Sequence, residues 1–211
     1  TTHLSEVIRT HAHEFIGRQE IQELLDNVKK SHPKVVDELV PNLLSLGGVV
    51  RVLKNLLAEQ IPVRDLLTIL ERLADWAPRV KDLDLLSEYV RQGLARTITH
   101  NYMAGGTLYA LTMGQRAEAK LNEGIHRSER ESYLALDPSI ARRIMDSLAA
   151  EMPRFAGLNQ RPVVICSAQV RPHFKKLADR FIPNLVVLSY NEILPETKIQ
   201  SVGVVELSDA N

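Results

Sequence analysis

The 211-residue chain holds a single cysteine. Without a second thiol there is no internal disulfide and no cysteine-rich metal site. Cys166 stands in the apolar run PVVICS and reads as a small buried hydrophobe in a reducing compartment. An excess of either charge is missing too: Lys and Arg number 26, Asp and Glu 26, for a formal net charge of zero. Nucleic-acid binding draws most of its affinity from neutralised phosphates, and anionic membranes select basic patches, so neither is the expected main partner. No run approaches the roughly 20 apolar residues that span a bilayer. The first residues, TTHLSEVIRTHAHEF, carry no basic-then-apolar signal pattern. They lack an initiator methionine and begin inside a helical pattern, so the chain is expected to be a piece of a longer protein.

What is present is ordinary for a soluble globular protein, 45% hydrophobic and 25% charged, and long enough for one large domain or two modest ones. The first half has helical period. Leu4, Val7, Ile8, His11 and Phe15 share one face of the opening segment, which Gly17 stops. Ile21, Leu24, Leu25 and Val28 form the next stripe. Pro33 then opens a short helix, where its missing N–H costs nothing. Ser45 caps a helix striped by Val49, Val52, Leu53, Leu56 and Leu57. Pro62 is the expected start of the helix in IPVRDLLTILERLADWAP, whose apolar face is Leu66, Ile69, Leu70, Leu73 and Ala77. Asp82 caps a last helix carrying Leu85, Leu86, Tyr89, Val90, Leu94 and Ile98.

Near His100 the period changes to that of strands. GGTLYALTM reads as an alternating strand after a tight turn, and HRSERES as a polar surface loop. Asp137 and Pro138 open a well-capped helix. RPVVICS and NLVVLSYNEI read as buried strands joined by a helix with Val170, Phe174, Leu177 and Phe181 on its apolar side, and KIQSVGVVEL as a last alternating strand. The strand–helix–strand order fits a right-handed parallel crossover. The expected fold is α+β with several subdomains: a helical module, then a smaller α/β module with a mixed sheet.

Catalytic chemistry finds little support. His11 and His13 are two apart on a helix and diverge, so with His3 they form no metal site; they read as polar-face residues, His11 half-buried. SLGGVV and MAGGTL give neither a dinucleotide nor a Walker pattern. Ser167 follows a strand but lacks the glycines of a nucleophile elbow, and would suggest an enzyme only if one pocket held it beside His173. Asp82 and Asp84, or Glu129 and Glu131, need no role beyond capping and solvation. No catalytic residue and no cofactor is therefore expected. The helix pair from Ser45 to Ala77 could be a DNA reader, but its outer face is Arg64, Asp65, Thr68, Glu71, Arg72 and Asp75. Mixed signs repel phosphate as often as they attract it, and suit contact with a complementary protein surface.

AHEFIGRQEIQELLD, LVPNLLSLGGVVRVLKNLLAEQIPVRDLLTILERLADWAP, DLLSEYVRQGLARTIT, LVVLSYNEI and IQSVGVVEL occur in this order. Together they resemble the C-terminal cytoplasmic domain of the FHIPEP family, the export-gate proteins of flagella and of virulence type III secretion. GRQE and SVGVV look more like the flagellar branch. The resemblance implies a membrane-embedded N-terminal half and a cytoplasmic half of four subdomains. Residues 1–17 would then be the tail of the first subdomain, 18–98 the helical third and 99–211 the α/β fourth. It also implies a bacterial inner-membrane location, a nonameric ring formed mainly by the helical subdomain, and no ATPase activity. The implied role is a platform that receives flagellar export chaperones with their substrates and meets other export-apparatus proteins, including the ATPase complex, but not nucleic acid. Arg64, Asp65, Glu71 and Arg72 are the expected ring contacts. Thr2, with Gly17 at the family's spacing, is the expected chaperone contact. Most of that surface would lie outside this chain, so weak or no chaperone binding is expected of it alone.

Overall fold

Four helices begin on a side chain that accepts an amide proton from the first turn. Ser45 Oγ accepts from Gly48, Asp65 from Thr68, Asp82 from Asp84 and Leu85, and Asp137 from Ser139, at 2.8–3.2 Å. Such caps satisfy amides that the helix itself leaves unbonded. The computed structural model describes residues 11–158, 160–183 and 185–207. They divide into two compact units, one reaching to Leu94 and including Glu129–Glu131, the other made of Ala95–Ser128 and Ser132 onward.

The first unit holds α1 (Arg18–Ser31), α2 (Pro33–Glu38), α3 (Leu46–Ala58), α4 (Leu66–Trp76) and α5 (Leu83–Gly93). Its core is the set of stripes read from the sequence: Ile21 and Leu25 of α1, Val49, Val52, Leu53 and Leu56 of α3, Ile69, Leu70 and Leu73 of α4, Leu86 and Val90 of α5 are all nearly sealed from water. Each contributes about 1.5–3 kcal/mol by burial. Trp76 and Tyr89 stack with ring centroids 3.8 Å apart and brace α4 against α5.

Four expectations are corrected in this unit. The helix expected to start at Pro62 starts at Leu66, because Gln60 turns the chain into left-handed backbone (φ 59°) and buried Ile61 anchors an extended run that ends on the Asp65 cap. Phe15 and His11 are exposed rather than on a buried face, since Ala12–Glu14 is a short 3-10 turn, with His11 hydrogen-bonded to Glu14. Leu24 and Leu85 also face outward, at 39% and 41% exposure. The helix expected from Asp82 to Ile98 breaks after Gly93, the poorest helix former in it, and resumes at Ala95 in the second unit.

The second unit comprises α6 (Ala95–Tyr102), β1 (Thr107–Met113), α7 (Gln115–Glu123), β2 (Ile125–Arg127), β3 (Ser132–Leu134), α8 (Pro138–Glu151), β4 (Val163–Cys166), α9 (Arg171–Ala178), β5 (Val186–Ser189) and β6 (Lys198–Val205). Four strands pair in parallel in the order β5-β4-β1-β6. The β2–β3 ribbon, whose tip is the HRSERES loop, is antiparallel, as is a single bridge between Ala104 and Thr107. This is the α+β organisation the sequence implies. Strand β1 is buried almost throughout instead of alternating, as a central parallel strand covered on both faces must be. The outer strand β6 is mostly exposed and carries one extra residue, Val202, between the Ala110 and Leu111 pairings. Leu111, Leu148, Val164, Phe174 and Val205 sit in one core, and Cys166 lies buried beside them as expected.

Candidate assembly surface

Helix α4 turns Leu66, Ile69, Leu70 and Leu73 into the core and leaves Glu71, Arg72 and Asp75 exposed, with Arg64 and Asp65 just before its start. This is the 3.6-residue period at work. Positions 68, 71, 72 and 75 share one face, so the sequence places these charges together and the structure keeps them there.

The four residues expected at a ring contact are not equivalent. Asp65 accepts the Thr68 N–H at 3.2 Å, so it holds the helix start as well as a surface charge. The Arg72 stem lies over Gly93 of α5, where an added Cβ would fall 2.7 Å from its Cγ; only glycine leaves room there. Arg64, Glu71, Arg72 and Asp75 form no ion pair among the described residues. Thr2, the expected chaperone contact, and His3 lie outside the described residues. Gly17, which shares the Thr2 motif, is the N-cap of α1; its N–H bonds to the Glu20 carboxylate at 2.8 Å. Glu20's own backbone N–H and that of Gly17 hold this carboxyl below its ordinary pKa.

A polar seam between α3 and α5 escaped the sequence reading. Asn55 donates to Asp84 and Ser87, both at 3.0 Å, and Arg91 meets Glu59 at 2.9 Å with only 3% of its side chain exposed. Facing hydrophobic stripes dominate both helices, and nothing in the sequence says that these polar residues oppose one another. The second unit buries a comparable pair, Arg171 against Glu192 at 3.6 Å, with the Arg171 guanidinium also donating to the Val187 carbonyl. His173 lines a surface groove that Ser167 does not reach, and the Ser167 N–H is bonded to Glu118. Among the described residues, no three His, Cys, Asp or Glu side chains converge on a metal position. No described helix is long and apolar enough to cross a membrane.

The FHIPEP family profile matches residues 1–198. The chain belongs to the FHIPEP family. Within that family it is 41% identical to the flagellar biosynthesis protein FlhA of Bacillus subtilis over 208 residues, which is 98% of this chain and 31% of that protein. It is 31% identical to the low calcium response locus protein D of Yersinia pestis over 96% of its length and 29% of the relative. The chain thus spans about a third of these FHIPEP relatives. Among solved structures it is similar to the Chlamydia pneumoniae CdsV protein (TM-score 0.90, 33% identity, 97% of this chain and 59% of that one). It is also similar to the nonameric cryo-EM structure of EPEC SctV-C (TM-score 0.85, 32% identity, 96% and 61%). The family's members are secretion export-gate proteins, and FHIPEP is not a known enzyme family.

Proposed function

We propose that this chain is part of the cytoplasmic platform of a bacterial type III protein export gate, of the flagellar branch, and that the outer face of α4 helps to close its ring. The observation that carries the ring contact is the set of Arg64, just before α4, with Glu71, Arg72 and Asp75 on it: exposed and mixed in sign, without an ion pair among the described residues, while the apolar face of α4 is buried in the core. A cyclic assembly joins two different surfaces at every interface, so such a face needs a complementary neighbour, not a copy of itself. Alternating signs also penalise a shifted register, because displacement sets like charges opposite.

The nonameric state of EPEC SctV-C supports a ring as the working form. The helical unit that ends at Leu94 would be its ring-forming subdomain, and the unit that begins at Ala95 the following α/β subdomain. The higher identity to a flagellar relative than to the Yersinia protein favours the flagellar branch. On this reading the platform faces the cytoplasm beneath an inner-membrane gate, and receives chaperones with their export substrates through a surface that includes Thr2. It also meets other export-apparatus proteins, among them the ATPase complex; the solved complex of the related CdsV with CdsO supports partner binding by such a platform. The test is ring formation by the full-length protein carrying Glu71→Lys and Arg72→Glu, followed by electron microscopy. Lost rings with an unchanged melting curve support the contact; intact rings remove it.

A further inference from the structure

On the second unit, a groove of about 290 Å³ opens where the end of α9 faces the start of α8 and the residues around β3. Leu134, Leu136, Leu177 and Phe181 form its apolar walls, Lys176 and Arg180 supply cations, and no carboxylate lines it. In a chain with zero net charge, a groove with charges of one sign only is a local feature, not a reflection of composition. Phe181 was expected on the buried side of the preceding helix. Instead α9 ends at Ala178, whose carbonyl accepts from the N–H groups of Phe181 and Ile182 at 2.9 and 2.8 Å, and this turn presents the Phe181 ring at 54% exposure. The neighbouring Lys175 is neutralised by Asp179 at 2.6 Å, while Arg180 has no ion pair among the described residues.

We propose that this groove docks a short peptide segment of a partner protein, anchored by one or two apolar side chains and flanked by carboxylates. Apolar walls disfavour a bare phosphate or a nucleic-acid backbone, for which burial against Leu177 and Phe181 brings no gain. An apolar anchor gains from those walls, and an acidic flank placed at Lys176 and Arg180 fixes its direction.

The probe is a phage-displayed library of random peptides, about twelve residues long to cover an extended or single-helix segment, selected on the intact chain. Enriched peptides should combine Leu, Ile, Phe or Trp anchors with flanking Asp or Glu. They should bind the Phe181→Glu variant about tenfold more weakly or worse and lose affinity as salt is raised. Reselection on Arg180→Glu should move the consensus toward basic flanks. Both substituted side chains are exposed, so circular dichroism should show an unchanged fold. No enrichment, neutral or basic flanks on the unmodified chain, or equal binding by the Phe181→Glu variant would each overturn the proposal. None of these outcomes depends on ring formation.

Discussion

Removing the acid from the α3–α5 seam should destabilise the first unit more than removing the base. Arg91 has 3% of its side chain exposed and Glu59 20%, with 2.9 Å between Nη1 and Oε2. Glu59→Ala takes a carboxylate away from a guanidinium that is almost sealed from water, which costs about 3 kcal/mol, at the low end for a broken buried pair. Arg91→Met leaves a carboxylate that water already reaches, and the methionine chain occupies the space of the arginine stem, so the cost falls to about 1–2 kcal/mol. Replacing both residues by methionine should land near the wild type, since a buried pair and a well-packed apolar pair are often equivalent. Trp76 makes the measurement specific, because the only tryptophan stacks on Tyr89 within this unit and its fluorescence reports unfolding there. At a urea slope of about 2 kcal/mol per molar, Glu59→Ala should lower the midpoint by about 1.5 M and Arg91→Met by about 0.5–1 M. Equal losses, or a larger loss for Arg91→Met, would show that depth of burial does not decide the cost.

Other substitutions separate structural from surface roles. Asp65→Ala should cost about 1 kcal/mol through the lost cap, whereas Glu71→Lys should stay within about 0.5 kcal/mol; equal effects in a thermal melt would dissolve the distinction. Thr99→Val should cost about 2 kcal/mol, because the buried hydroxyl donates to the Glu192 carbonyl and accepts from the Leu194 N–H; a melt displaced by less than a degree would refute this. The Asp137 carboxyl is held below its ordinary pKa by the Ser139 hydroxyl and then the Ser139 N–H. A lowered folded pKa means the stabilisation is present at neutral pH and is lost as pH falls through that folded value. Asp137→Asn should therefore trail the wild type at neutral pH and match it in acid, where a constant difference would contradict the linkage.

Caps were legible because a single side chain specifies them: Ser45, Asp82 and Asp137 each fulfil the role read from their type and position. The helix read as starting at Pro62 starts instead after the Asp65 cap, because the chain is held by buried Ile61, and burial is a tertiary fact. Apolar periodicity located faces without saying which of them would be covered, so Leu85 and Phe181 emerged in solvent while Glu88 and Arg91 went inside. Helix α7 buries only Ala117 and Leu121, too sparse a stripe to stand out, and the β2–β3 ribbon has three residues per strand. At the candidate surface the charges and their common face were legible from residue type and spacing. The Arg72 stem lying over Gly93 and the second duty of Asp65 were not.

Charges in this chain fall into two populations, and the contrast yields a last prediction. Arg91, Arg171 and Lys175 are nearly withdrawn from water and each faces a carboxylate, as buried charges must. The charges of α4 obey a different rule. Glu71 and Asp75 are like charges one turn apart, a spacing that costs a helix a few tenths of a kcal/mol, and Asp75 sits in the last turn, where the helix dipole disfavours an acid. Neither placement helps the isolated unit, and a cationic surface on a neighbouring subunit would reverse both penalties. Asp75→Asn should therefore raise the stability of the dissociated chain by about 0.3–0.5 kcal/mol while weakening assembly of the full-length protein. Paired measurements, a urea titration of the monomer and sedimentation of the assembly, would read the two signs. If both moved in the same direction, the mixed-sign face of α4 would be ordinary solvated surface, and the ring contact would have to be sought elsewhere on the helical unit.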